Sequence, residues 1–269
     1  MSFTSVQDLC VAVLGLGEAG GAIADDLVTA GVRVRGYDPR VTAPPGVEDT
    51  GSEAEAAEGS HLVLSVNSAS DAADALRAGL AGTSSNCLWA DLNTASPALK
   101  RHLAETAGDA GLAFADVSLM ATVPGRGLRT PMLVSGSGAR RFAETLHALR
   151  TNVDVKVDVL DGPAGLAAER KLLRSVFYKG LAAAVVEALD AARAAGCEEW
   201  LREIIAEELT SANAATLNRL VEGSHRHAVR RTSEMQAAAD MLGDLGVPAS
   251  MATASRDLLQ RLSRGGRCG

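Results

Sequence analysis

Aromatic side chains supply only 3% of this 269-residue chain, and its four cysteines, Cys10, Cys87, Cys197 and Cys268, are scattered. Few aromatics leave no stacking platform for bases, and a formal net charge of −7 lacks the basic footprint that nucleic acid demands. With no C-x-x-C pair and no histidine at metal-ligand spacing, neither a disulfide framework nor a metal site is expected, and a reducing compartment fits the thiols. No stretch of about eighteen uncharged apolar residues occurs. The opening "MSFTSVQDLC" has neither the basic nor the long apolar segment of a secretory leader. The expectation is a soluble, cytoplasmic protein with no membrane, nucleic-acid or metal partner.

What the chain does have is 47% hydrophobic residues and 27 glycines, with enough length to bury the cores of two modest domains. Six short β-like runs, "LCVAVLG" (9–15), "VRVRGY" (32–37), "HLVLSV" (61–66), "CLWADL" (87–92), "LAFADV" (112–117) and "PMLVSG" (131–136), alternate with Ala-rich stretches of helical periodicity, among them 18–30, 70–80 and 96–107. Such alternation predicts an α/β domain, a doubly wound parallel sheet covered by helices on both faces. From Leu166 to Arg264 no convincing strand appears, and helical stretches break at "AAGC" (194–197), "VEGS" (221–224) and "LGVP" (245–248). The boundary is therefore set near Gly162, with a sheet-containing domain over 1–161 and an all-α domain over 162–269. The tail "RGGRCG" is expected to be disordered.

The segment "AVLGLGEAGGAI" places Gly15, Gly17 and Gly20 in a G-x-G-x-x-G pattern between the first strand and a helix, with Asp38 at the end of the second strand. These are the features of a Rossmann dinucleotide site. Glycines let the backbone approach a pyrophosphate at a helix N-terminus, and the acid accepts hydrogen bonds from ribose hydroxyls. The candidate loop comprises Gly15, Leu16, Gly17, Glu18, Ala19 and Gly20. A tight turn without a ligand, and a methyltransferase glycine loop, are the competing readings. A carboxylate at Asp38 repels a 2′-phosphate and favours NAD over NADP, whereas Arg40, two residues on, could still reach such a phosphate.

In "GPAGLAAERKLLRSVFYKGLAAAVVEAL" (162–189), Lys171, Arg174, Ser175, Tyr178 and Lys179 line one helical face, with Leu172, Leu173, Val176 and Phe177 on the others. The bland reading is a solvated stripe. The next positions on that face are Ala182 and Val186, so the face is expected to be buried along its length with a polar pocket at one end. Three cations together point to an anionic ligand, most simply a carboxylate, and their repulsion would lower the proton affinity of Lys171. A lysine so placed is a candidate general acid/base for a hydroxyl being oxidised; Tyr178 could do the same work.

With these segments in view, nearly the whole chain resembles the β-hydroxyacid dehydrogenase superfamily, which includes 3-hydroxyisobutyrate and 6-phosphogluconate dehydrogenases. The likeness runs through "GLGEAG", through "DLNTASP" (91–97) in place of an Asp-x-Ser-Thr-x-x-Pro segment, and through "FADVSLMATVPGRG" (114–127), where the family carries a substrate loop beginning with Asp. It continues in "GPAGLAAERK", which matches a G-x-x-G-x-G-x-x-x-K signature at Gly162, Gly165 and Lys171, with Ala167 replacing the third glycine. "KLLRSVFYKG" (171–180) and "RHAVRRTSEM" (226–235) resemble a branch whose C-terminal domain is like that of 6-phosphogluconate dehydrogenase. The resemblance implies that Lys171 is the catalytic acid/base, that Asn67 and Thr94 lie near the nicotinamide, and that Ser118, Met120 and Ala121 flank the reacting carbon. Two departures stand out: no glycine-rich segment follows Asp116, and the position four beyond the lysine, often Asn, is Ser175.

The basic cluster His225, His227, Arg230 and Arg231, on an expected helix, is either a solvated face or part of a site closed across a dimer. The resemblance further implies a homodimer built by the helical domain. The resulting expectation is an NAD(P)-dependent dehydrogenase acting on a small anionic hydroxy acid, with residues 1–161 binding the dinucleotide and 162–269 serving substrate and dimerisation. An imine reductase on the same fold and a non-catalytic nucleotide-binding scaffold are the alternatives.

Overall fold

The computed structural model describes residues 8–149 and 154–265; Cys268 and the end of the tail expected to be disordered lie outside them. The chain divides into two compact units, 1–174 and 175–269. The first is built on one eight-stranded sheet: β1 (Cys10–Leu14), β2 (Arg33–Tyr37), β3 (Val47–Asp49), β4 (Leu62–Ser65), β5 (Leu88–Asp91), β6 (Ala113–Leu119), β7 (Met132–Ser135) and β8 (Val157–Val159). Their spatial order is β3-β2-β1-β4-β5-β6-β7-β8. The chain reverses direction of growth between β1 and β4, which puts a crevice beyond the carboxyl ends of those strands.

All six expected strands form, and the sheet departs from expectation in two ways. It is not wholly parallel, since β7 runs antiparallel to β6. The physical reason is the connection: 120–131 carries only a 3-10 turn at Gly127–Arg129 and no crossover helix, so the chain folds straight back. The two unforeseen strands, β3 and β8, are three-residue edges, half-buried or exposed, whose "VED" and "VDV" show no apolar pattern.

Helices α1 (Glu18–Thr29), α2 (Glu53–Ala57), α3 (Ala72–Leu80), α4 (Pro97–Asp109) and α5 (Ala139–His147) flank the sheet. Alternate strand residues feed two separate cores. Val11, Val13, Leu62 and Leu64 pack with Ile23, Leu27 and Phe142 on one face, while Ala12, Leu14, Val63 and Trp89 pack with Leu76 and Leu103 on the other. A sheet buried on both sides is what the continuous apolar runs require. The start of α4 follows from its sequence: Ser96 accepts the Leu99 N–H at 3.2 Å and Pro97 holds the first turn.

The long helix α6 (Leu166–Ala194) begins in the first unit and continues into the second. The second unit also holds α7 (Glu198–Ser211), α8 (Ala214–Arg226), α9 (Ala228–Asp244) and α10 (Ser250–Gly265). The expected breaks at 194–197 and 245–248 occur, but 221–224 is helical: Gly223 lies inside α8. A single interior glycine costs only about 1 kcal/mol, too little to end a helix. The interruptions flank it: Asn213 and Thr216 form a capping box that starts α8, and His227 separates α8 from α9. Among the described residues no helix is long and apolar enough to cross a membrane.

Cys87, at the threshold of β5, is fully buried, and desolvation pushes its thiol up to about 11 against a smaller opposing pull from Arg141. Because the unfolded chain loses this proton first, stability should fall as pH rises from about 9 to about 11. Thiol titration of the native protein at pH 8 should label Cys197, which is partly exposed, and leave Cys87 unmodified until denaturant is added. Rapid native labelling of Cys87 would contradict this burial.

Candidate active site

The glycine loop is divided into three tasks. Gly15 has φ +92°, and a Cβ there would sit 2.7 Å from the Val66 carbonyl oxygen. At Gly20 a Cβ would fall 1.8 Å from the Gly15 oxygen, so this glycine lets α1 pack on the loop. A Cβ at Gly17 would meet nothing within 4 Å: here the glycine leaves open space in front of the helix. Gly17 is also the N-cap of α1 and offers no side-chain cap to the first-turn N–H groups. Open space before uncapped N–H groups is what an anionic diphosphate needs.

Asp38 stands beside the same loop. One carboxylate oxygen accepts the Leu16 N–H at 2.8 Å, and the other accepts those of Arg40 at 2.8 Å and Val41 at 3.1 Å. The acid therefore clamps the loop as well as facing the crevice. A cleft of about 320 Å³ is lined by Gly15, Gly17, Asp38, Arg40 and Asn67, with Glu53, Asp71 and Asp74 completing an acidic rim. Leu16 is buried, whereas Glu18 is exposed and Ala19 half-buried in the first turn of α1. These residues fit a dinucleotide by the glycine geometry and by the acid at the end of β2.

Beyond the end of β5 a polar network connects the next candidates. Asn93 donates from Nδ2 to Asp91 Oδ2 at 2.8 Å and to Asn67 Oδ1 at 2.7 Å. Its neighbour Thr94 accepts from Lys171 Nζ through Oγ1 at 2.8 Å. Asn67, Thr94 and Lys171, drawn from three distant sequence segments, are thus joined within the first unit. Gly165, with φ +98°, brings the start of α6 so close to α4 that a Cβ would lie 2.8 Å from the Pro97 carbonyl. Ala167, in the place of the family's third glycine, is buried without conflict.

Other candidates are placed differently from expectation. Asp116 and Ser118 do not belong to a loop: β6 continues to Leu119, both side chains are buried, and the loop starts only at Met120, because Ser118 is registered against Leu133 of β7. Met120 and Ala121 are half-buried, and the Met120 N–H is spent on the Pro131 carbonyl. Arg174 is exposed in the first unit; Ser175, Tyr178 and Lys179 belong to the second, where Tyr178 packs edge-on against Phe177 at 5.1 Å. The apolar continuation of the stripe is not buried in the single chain, since Ala182 is exposed and Val186 is 59% exposed. The basic cluster spans two helices instead of one: His225 ends α8, His227 is the junction, and Arg230 and Arg231 lie on α9, paired with Glu234 and with Ser224.

Sequence reasoning missed Lys100. It is wholly buried, donates to Asp91 Oδ1 at 2.5 Å and to the Asp91 carbonyl at 2.8 Å, and lies 3.3 Å from Asp116 Oδ1. A signal existed: Lys100, Leu103 and Ala107 form the buried stripe of α4, and a lysine on an apolar stripe needs an internal partner.

The NAD binding domain of 6-phosphogluconate dehydrogenase matches residues 10–151, and a domain of unknown function, DUF1932, matches 192–262. A 3-hydroxyisobutyrate dehydrogenase of Pseudomonas aeruginosa is 30% identical over 148 residues, 52% of this chain and 50% of that protein, so the chain aligns with about half the length of this relative. A conserved protein, described as structurally similar to 3-hydroxyacid dehydrogenases, is 26% identical with a TM-score of 0.59, covering 95% of this chain and 97% of that one. An imine reductase from Myxococcus stipitatus in complex with NADP+ shares the fold at 18% identity and a TM-score of 0.78, covering 96% and 95%. The glycine loop and the acid at the end of β2 lie within the segment matched by this NAD-binding family, through which the chain belongs to the β-hydroxyacid dehydrogenase superfamily.

Proposed function

We propose that the protein is an NAD(P)-dependent oxidoreductase that moves a hydride between a nicotinamide cofactor and a small anionic hydroxy acid, with Lys171 as general acid/base. The observation that carries the reading is the 2.8 Å hydrogen bond from Lys171 Nζ to Thr94 Oγ1, in the same unit as a glycine loop fitted to a dinucleotide. The bound nicotinamide would supply the hydride acceptor or donor. The chain's own work is positional and protic. The first turn of α1 holds the diphosphate, Asp38 receives ribose hydroxyls, and Lys171 takes the proton released as the substrate O–H bond gives way to a carbonyl, returning it in reverse. Arg174, one turn further along α6, is the candidate partner for the substrate carboxylate.

Asp38, with Glu53, Asp71 and Asp74 on the same cleft, supports NAD over NADP, because each carboxylate opposes a 2′-phosphate. The shared fold with an imine reductase makes C=N reduction the competing reading. We further propose a cytoplasmic homodimer through the helical domain, a reading supported by exposed large apolar side chains on its helices, among them Val176, Phe177, Trp200, Leu217 and Leu220.

Lys171→Ala should lower turnover of a hydroxy acid found by screening by roughly 10²- to 10⁴-fold, while NADH affinity, read by nicotinamide fluorescence, stays within about twofold. Wild-type turnover in this variant would remove Lys171 from the chemistry. For Asp38→Ala, the ratio of NADH to NADPH affinity should fall by about tenfold, equivalent to about 1.4 kcal/mol; an unchanged ratio would take Asp38 out of cofactor selection. Sedimentation equilibrium should return twice the 27.6 kDa of one chain, and a monomer at micromolar concentration would refute the homodimer.

A further inference from the structure

We propose that Lys100 is a positioning residue for Lys171: its buried ammonium joins Asp91 and Asp116, and through them fixes both the loop that carries Thr94 and the first turn of the helix that carries Lys171. The inference rests on the reading of Lys171 as acid/base for its importance, although not for its geometry.

The contacts form a closed ring within the first unit. On one side, Asp91 binds Lys100 through Oδ1 and Asn93 through Oδ2, and Thr94 follows Asn93 in the chain. On the other, Asp116 Oδ2 accepts the Gly165 N–H at 2.9 Å and the Ala168 N–H at 3.1 Å, together with Ser135 Oγ at 3.2 Å. Ser135 Oγ in turn accepts the Ala167 N–H at 3.0 Å. Asp116 and Ser135 are a registered pair of β6 and β7, so two strands cap α6 with side chains. Lys171 lies one turn beyond Ala168, and the cap therefore sets its axial position and its phase around the helix. The Lys171–Thr94 hydrogen bond closes the ring.

Lys100 is the one cation of the buried part of the ring, shared by both carboxylates. Asp91, Asp116 and Lys100 are all fully buried, and among the described residues Asp116 Oδ1 has no hydrogen bond, only the ion pair with Lys100 at 3.3 Å. Without the ammonium, two carboxylates would face each other in the core, and each would have to move or change its partners. Either response displaces one of the two supports of the Lys171–Thr94 contact.

The chain has only four lysines, Lys100, Lys156, Lys171 and Lys179, which permits a test that needs no substrate. Trace acetylation of the full-length protein, quantified by peptide mass spectrometry, reads the reactivity of Lys171 against the exposed Lys156 and Lys179. In folded Lys100→Met, Lys171 should label at least threefold faster relative to these references, because its amine is released from Thr94. Lys100→Arg, which keeps the charge, should stay within twofold of wild type. Should Lys100→Met not fold, Asp91→Asn serves: it preserves shape but turns an amide donor towards Asn93, and the same acceleration is expected. Wild-type labelling of Lys171 in a folded Lys100→Met or Asp91→Asn chain would overturn the proposal, as would Lys100→Arg behaving like Lys100→Met. The outcome is separable from that of Lys171→Ala, because labelling reports the contact whether or not Lys171 is catalytic.

Discussion

The ammonium of Lys100, held between Asp91 and Asp116 with no access to water, is the interaction on which the geometry of the first unit converges. Burying three ionisable side chains is expensive, and a buried ion pair is weak evidence of stability in itself. What offsets the cost here is the number of hydrogen bonds that the two carboxylates accept from elsewhere, including two backbone N–H groups at the start of α6. The N-terminus of a long helix adds its partial positive charge beside the Asp116 carboxyl group. Losing the ammonium alone would cost about 3–5 kcal/mol by the measure of broken buried pairs. The arrangement thus exchanges stability for a fixed relation among β5, β6, β7 and α6.

A second constraint acts at the opposite end of the crevice. Asp38 spends both oxygens on backbone N–H groups of the glycine loop and its own turn, so the acid at the end of β2 also shapes the glycine loop. Gly15 and Gly20 are required by close backbone approach, whereas Gly17 leaves open space in front of α1. One sequence pattern therefore answers two physical demands, packing and access, that a substitution series can separate.

Much of this was legible in the sequence, and the rest was not for identifiable reasons. Most of the six runs became strands buried in a parallel sheet, where continuous hydrophobicity is visible locally, whereas β2, with alternating burial, and the antiparallel β7 are exceptions. The edges β3 and β8 were invisible because three exposed residues carry no pattern. Gly15, Gly17, Gly20 and Asp38 were readable from spacing, since loop and acid belong to one βαβ unit. Lys171 needed helical phase and a family likeness together. Lys100 escaped because its partners lie 9 and 16 positions away on different strands, and only the sheet order brings them together. Asp116 falls within the expected run 112–117, whereas the expectation of a loop at Ser118 fails through register: pairing with β7 extends β6 to Leu119 and buries its side chain.

The choice between a hydroxy acid and an imine turns on charge. A C=N bond is reduced most readily when protonated, and under the proposed reading an iminium arriving at Lys171 and Arg174 near the start of α6 would meet cations where it needs an acceptor or an anion. A hydroxy acid brings the complementary charge: its carboxylate can accept both N–H bonds of a guanidinium fork, and the reacting hydroxyl carries the proton that a lysine amine can take. Position matters as well as sign. Lys171 and Arg174 are three residues apart and project from neighbouring points of one helix, so a ligand bound by both must hold its anionic group and its reacting oxygen only a few bonds apart. That requirement constrains the separation of carboxylate and hydroxyl, not the length of the rest of the ligand.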